Sequence, residues 1–365
     1  MVLLNNFRAE PPELVEAEVA AVRRVIASAR YILDAEVERF ERAWASYCGV
    51  RECVGTGNCT DALEVGLRGL EIGPGDEVIT TPTTAFATTL AVLRAGATPV
   101  FADIEADTAL LDPASVSRCI TSRTRAVILV HLYGRIAPMD RWGELANDAG
   151  IHLIEDCAQA HGAAWEGRRA GSFGAFGAFS FYPTKNLGAI GDAGALVTDD
   201  AALGARARSL RDYGQTERFH HVEVGVNSRL DEIHAAVLSE RLAWLQLFTE
   251  RRRQVAQAYY DGIHNPRVQL LDRVPEAEQH VHHLFALTCD NRDRLHRFLA
   301  DRGVQTAVHY PIPVHRQPPC AGFRADPAGV ARAERHAATC LSIPCNPQLT
   351  DADVATVIDA INEFR

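Results

Sequence analysis

Lysine is nearly absent from this sequence. Of 365 residues, 37 are lysine or arginine, yet the only lysine is Lys185. Other absences narrow the field. No apolar run approaches the roughly 20 residues that a bilayer-spanning helix needs. No basic stretch leads into an apolar one near the start, so no secretory signal is expected, and a cytoplasmic location is. Nine cysteines are present, an odd number without a CxxC pair or regular spacing, which fits reduced buried thiols and not a disulfide framework. Basic charge is not in excess: the formal net charge is −10. Such a field repels nucleic acid and anionic lipid, so neither is expected as a partner. The one dense basic run, Arg251-Arg252-Arg253, reads as a solvated helix face.

What is present reads as an α/β protein. Short apolar runs alternate with helix-like segments between about Arg51 and Asp199. The runs are EVITT (77–81), TPVFADI (98–104), RAVILVHLYG (125–134), IHLIEDC (151–157), FGAFSFY (176–182) and GALVT (194–198). Several are apolar on both faces, as strands are when helices cover both sides of a sheet. Residues 60–70 and 138–149 are helix-like, and Gly73-Pro74-Gly75-Asp76 is a tight turn feeding a strand. A mostly parallel, doubly wound sheet is therefore expected, with ligands at the carboxyl ends of its strands. The segment from Tyr213 to Ser228 breaks the alternation, and an amphipathic helix follows from about Leu230 to Leu245. The division expected is a large domain over 1–245, with an N-terminal helical segment, and a smaller C-terminal α+β domain over 246–365. In the latter, residues 282–288 read as a strand and 290–302, 329–340 and 350–364 as helices.

Three motifs carry chemistry. In Val54-Gly55-Thr56-Gly57-Asn58-Cys59-Thr60-Asp61, a glycine-rich turn opens a helix, so backbone N–H groups and the helix dipole make an anion site. It half-matches a dinucleotide fingerprint, but Thr60 replaces the third glycine, and Asp76 and Glu77 stand at the wrong end of the next strand. A phosphate monoester cradled by Cys59 and Thr60 fits better, although a capped helix needs no ligand at all. In Glu155-Asp156-Cys157-Ala158-Gln159-Ala160-His161-Gly162, an apolar run ends in Asp156, at the sheet edge where a ligand lies. A carboxylate there can hold a pyridine nitrogen protonated, or merely cap a turn. In Ser180-Phe181-Tyr182-Pro183-Thr184-Lys185-Asn186, a strand ends in a turn that delivers the lone lysine. An amine can lose its proton and form an imine, which a guanidinium cannot. His280-Val281-His282-His283 lacks carboxylate or cysteine partners at ligand spacing, so no metal is expected.

In this order and spacing the motifs, with GPGDEVI (73–79) and GVNSRLDEI (225–233), resemble the DegT/DnrJ/EryC1/StrS sugar aminotransferases from about Tyr31 to His315. The resemblance implies a fold-type I enzyme with pyridoxal 5'-phosphate held between the subunits of a homodimer. By position, Lys185 forms the imine with the cofactor, and Asp156 pairs with its ring nitrogen. Gln159 lies at the ring, Cys59, Thr60 and Ser180 hold the phosphate, and Asn227 reaches a neighbouring subunit's phosphate. Tyr31, Tyr182, His309, Tyr310 and His315 fall where the family contacts substrate. Cys59 replaces a usual glycine, which suits a contact through backbone N–H alone. Thr83 stands where the family often sets an aromatic, histidine or asparagine over the ring, implying a smaller contact. The dehydrase branch carries histidine in place of Lys185. The resemblance extends to an amino group passing from glutamate or glutamine to C3 of a dTDP-linked 3-keto-6-deoxyhexose. A 4-keto sugar nucleotide or a keto-cyclitol is the alternative substrate, and a non-catalytic sensor the alternative class.

Overall fold

The computed structural model describes all residues, Met1 to Arg365. Helices α1 (Pro12–Ser28) and α2 (Ala35–Cys48) lead in. Asp34 caps α2 by accepting from the Ala35 N–H at 2.8 Å, and Gly49 ends it in a left-handed turn. Then come β1 (Glu52–Thr56), α3 (Cys59–Gly69), β2 (Glu77–Thr80), α4 (Phe86–Arg94), β3 (Thr98–Phe101), α5 (Pro113–Cys119), β4 (Thr124–Val130), α6 (Met139–Ala149) and β5 (His152–Asp156). A small hairpin, β6 (Ala164–Trp165) and β7 (Arg168–Arg169), precedes β8 (Phe176–Ser180), β9 (Gly194–Thr198) and α7 (Ala201–Leu210). A second hairpin, β10 (Gln215–Glu217) and β11 (His220–His221), lies within the segment that broke the sequence pattern. Helices α8 (Glu232–Leu242) and α9 (Leu245–Gly262) follow, then β12 (Gln269–Leu270), β13 (Phe285–Thr288), α10 (Arg292–Asp301), α11 (Ala331–Thr339), β14 (Cys340–Ile343) and α12 (Asp351–Glu363).

The central sheet runs β1-β9-β8-β5-β4-β2-β3. Only β9 is antiparallel to its neighbours; the ladders from β8 to β3 are parallel. The expected α/β architecture is the one observed. Alternate residues of each strand serve opposite cores, which is why the strands read as apolar throughout. Val54, Val78, Ile128, Ile154, Ala178 and Leu196 meet α3, α4 and α7 on one face. Cys53, Ile79, Val127, Leu153, Phe179 and Val197 meet α2, α5 and α6 on the other. A separate core joins α9, β13, α10 and α12, and the chain's start enters it through Val2. Helix α11 ends within a residue of the expected 340, and β14 follows it directly, a strand the sequence pattern did not show. No helix is long and apolar enough to cross a membrane.

The same alternation positions chemistry. In β5, Glu155 shares the parity of Leu153 and Asp156 that of Ile154, so the adjacent carboxylates face opposite layers. Glu155 is saturated by the N–H groups of Gly171, Phe173 and Gly174, at 2.7 to 2.9 Å, and by His131 Nε2 at 2.9 Å. Burial alone would raise its pKa; these donors prevail and hold it below the ordinary value. Its work is to pin the loop that enters β8. Asp156 is left for the α3 side.

Candidate active site

Asp156 ends β5 and is 5% exposed. Its Oδ2 accepts from Thr88 Oγ1 of α4 at 2.7 Å, and its Oδ1 from the Ala158 N–H at 3.1 Å. Thr88 has one proton and spends it on Asp156, so Thr84 donates the next bond, at 2.9 Å. This threonine relay ties Asp156 to the segment after β2, where Thr83 sits with a buried hydroxyl that has no partner.

Lys185 is carried by a firmly held turn. Phe181 is fully buried and meets Trp44 edge-on at a centroid distance of 5.4 Å. Its N–H donates to the Ala193 carbonyl and its carbonyl accepts from Ala189, both at 2.7 Å, and the Lys185 N–H closes the turn on the Tyr182 carbonyl at 2.8 Å. Next in sequence, Asn186 Nδ2 donates to the Val281 carbonyl at 3.0 Å. The residue is partly exposed. Burial pushes its pKa below the ordinary lysine value, against the pull of the nearby Asp156 and Cys59. No ion pair or side-chain hydrogen bond in the chain engages the amine.

Helix α3 opens at the same end of the sheet. Asn58 caps it by accepting from the Asp61 N–H at 2.9 Å. The N–H groups of Cys59 and Thr60 are then left in the first turn, where no intrahelical acceptor exists. The turn lies so close to β9 that a Cβ on Gly194 would come within 2.6 Å of the Cys59 nitrogen. Cys59 is buried, and burial drives its thiol well above the ordinary pKa, so it offers backbone and not thiolate. Ser228 Oγ accepts from the Gly57 N–H at 2.9 Å and donates to Asp61 at 2.6 Å, anchoring the 227–229 segment beside the helix start. Asn227 itself is exposed.

The remaining candidates divide. Ser180, the last residue of β8, is partly exposed on the Asp156 face. Gln159 is buried and bridges the Tyr133 N–H at 2.6 Å and the Tyr310 hydroxyl at 3.3 Å. Burial pushes the Tyr310 hydroxyl up to about 12, with Asp156 nearby adding to it. His309, whose ring Nδ1 lies 3.0 Å from Ser342 Oγ, is pushed down to about 4 by burial and by Lys185. These residues and Lys185 share one neighbourhood. Tyr31 and Tyr182 are exposed, Tyr31 where its backbone meets Glu232 at the start of α8. His315 is engaged by Glu334 at 3.1 Å. The stacked pair His280 and His282, 3.8 Å apart, is buried among arginines. Thr84, Thr88, Tyr133, Asn186 and Ser228 escaped the sequence reading. Of these, Asn186 and Ser228 lay within motifs, beside Lys185 and inside the GVNSRLDEI segment, without a role assigned to either.

The arrangement suits a phosphorylated pyridine aldehyde: an unpaired amine, a buried carboxylate, a helix start with free N–H groups, and the orphaned Thr83 hydroxyl. Known proteins agree. The chain is 45% identical to the dTDP-3-amino-3,4,6-trideoxy-alpha-D-glucose transaminase of Streptomyces venezuelae, covering 98% of this chain and 95% of that one. It is 46% identical to the erythromycin biosynthesis sensory transduction protein EryC1 of Saccharopolyspora erythraea, over 90% of each. The crystal structure of S. venezuelae DesV in complex with a ketimine intermediate superposes with a TM-score of 0.95 at 45% identity, covering 99% and 98% of the two chains. The sequence profile of the DegT/DnrJ/EryC1/StrS aminotransferase family matches residues 12–362. The chain belongs to that family, whose cofactor is pyridoxal phosphate, and is an aminotransferase.

Proposed function

We propose that this enzyme transfers an amino group from glutamate or glutamine to C3 of a dTDP-linked 3-keto-6-deoxyhexose, using pyridoxal phosphate. The observation that carries the cofactor is the unpaired Lys185 amine, its pKa lowered, beside the buried carboxylate of Asp156. The likeness to the S. venezuelae transaminase, spread over nearly both chains, supports the substrate class. A sensor, as the name of the S. erythraea relative would suggest, has little need of an amine with a lowered pKa.

Bound pyridoxal phosphate supplies an aldehyde that condenses with amines and a ring that draws electrons from an adjacent C–H bond. The residues supply the rest. The N–H groups of Cys59 and Thr60, with Ser180, hold the phosphate. Asp156, oriented by Thr88 and Ala158, keeps a proton on the ring nitrogen. Lys185 would hold the cofactor through its aldehyde carbon, and its amine, when free, would be the group placed to take up and return a proton. The lowered pKa leaves more of it neutral and able to do so. Gln159 and Thr83 bound the ring, while Tyr182, His309 and Tyr310 line the substrate side. Tyr31 and His315 are assigned to the substrate as well.

The test of function is a screen of keto-sugar nucleotides against the pyridoxamine form, followed by return of the pyridoxal absorbance. The dTDP-3-keto-6-deoxyhexose is expected to react fastest. Preference for a 4-keto sugar or a keto-cyclitol would reassign the substrate.

In this reading the protein is a homodimer and Asn227, exposed in the single chain, serves its partner's phosphate. Each site then combines Lys185 of one chain with Asn227 of the other, and a twofold axis repeats the arrangement. Lys185→Ala and Asn227→Ala are each expected to be inactive. Refolded together they should recover about a quarter of wild-type activity, because about half the dimers are mixed and each has one intact site. Verified mixed dimers without activity would place Asn227 in its own chain's site.

A further inference from the structure

Tyr133, just beyond β4, has φ +61°, a left-handed backbone that residues with side chains rarely adopt. It is 2% exposed, and its polar atoms are all committed. Its N–H donates to Gln159 Oε1 at 2.6 Å. Its hydroxyl donates to the His309 carbonyl at 2.6 Å and lies 2.8 Å from His336 Nε2. A phenol has one proton, so the imidazole is the donor in the second bond. The next residue, Gly134, is also left-handed, and a Cβ there would sit 2.8 Å from the Gln159 carbonyl oxygen and 3.0 Å from the His283 nitrogen. The Tyr133–Gly134 turn is thus moulded onto the backbone of Gln159 on one side and the 281–283 segment on the other.

The consequence lies in what the turn orients. With Oε1 taken by Tyr133, the Gln159 carboxamide presents Nε2 to the Tyr310 hydroxyl, 3.3 Å away. Tyr310 follows His309, whose carbonyl the same tyrosine holds. One residue therefore fixes both partners of the Gln159–Tyr310 contact, although they are 151 residues apart.

We infer that Tyr133 is a positioning residue of this enzyme, acting on the reacting groups through Gln159 and Tyr310. The inference rests on the reading above, in which those two residues border cofactor and substrate. A tyrosine that only filled the core would contribute to stability without coupling to Tyr310.

The experiment is a double-mutant cycle on the holoenzyme with Tyr133→Phe, Tyr310→Phe and the pair. Phenylalanine keeps the ring and the backbone N–H and removes only the hydroxyl. Cofactor content and absorbance should match wild type. Each single variant is expected to lose about tenfold in kcat/KM for the keto sugar, as for one buried hydrogen bond, and the pair no more than the worse single. The same cycle is read without sugar from the rate at which glutamate bleaches the cofactor absorbance. Losses that multiply in the pair, or an unaffected Tyr133→Phe, overturn the inference. Should Tyr133→Phe not fold, His336→Leu replaces it: a smaller loss is expected, absent in the Tyr310→Phe background, and a loss that persists there overturns the inference equally. A wild-type protein that binds no pyridoxal phosphate overturns the reading beneath it and the inference with it. Normal bleaching with multiplying losses overturns the inference alone.

Discussion

Lys185→Ala is expected to fold, to bind pyridoxal phosphate through its phosphate contacts, and to lose about a thousandfold or more in turnover, since both imine formation and proton transfer go with the amine. The fold should survive because the Lys185 turn is held by Phe181, Ala189 and the Tyr182 carbonyl, none of which involves the amine. Lys185→Arg should fare no better, because a guanidinium keeps the charge but neither condenses nor gives up its proton. Two measurements check this. Borohydride treatment of the wild-type holoenzyme should attach the cofactor to the peptide containing Lys185 and to no other. Added primary amine should restore part of the alanine variant's activity, because the cavity left can admit it. A label elsewhere, or an alanine variant within tenfold of wild type, would remove Lys185 from the chemistry.

The second large effect belongs to Asp156. Asp156→Asn preserves shape and its one oxygen can still accept from either Thr88 or the Ala158 N–H, which now bond separate oxygens, but it loses the charge that holds a proton on the ring nitrogen. Each pKa unit by which ring basicity falls is worth about 1.36 kcal/mol, or tenfold in rate if fully expressed in the transition state. Turnover is therefore expected to fall by about two to three orders of magnitude with cofactor content unchanged, and the absorbance should report an unprotonated ring. Thr88→Val, which leaves the carboxylate but removes its 2.7 Å donor, should cost far less. If Asp156→Asn turned over normally, the ring nitrogen would need another partner or none.

Much of this was legible in the residues, for identifiable reasons. Lys185 stood out because the rest of the chain uses arginine, so a surface role could not explain it. The strands were legible because helices cover both faces of the sheet, which makes each run apolar end to end. That same uniformity hid the direction of β9: an antiparallel strand with two buried faces reads like a parallel one. Strand β14 was hidden because Cys340 follows α11 without a breaker, and four residues are too few to show a period. Alternation put Glu155 and Asp156 on opposite faces but did not say which face the ligand takes; that depends on where α3 and α4 lie. Thr88 looks like any helical threonine. Tyr133 carries no local sign of its left-handed backbone, which is imposed by Gln159, His309 and His336 from distant parts of the chain.

The solitude of Lys185 also makes this enzyme its own titrant. With no other lysine, acylating and aldehyde reagents meet guanidinium groups over the surface, which they leave largely untouched. Apart from the terminal amine, the one side-chain target per chain is the residue that holds the cofactor. Incorporation of an amine-reactive tag, counted with and without bound cofactor, thus gives the number of working sites in a preparation directly, and coupling to a support through side-chain amines would consume the active site before it immobilised the protein.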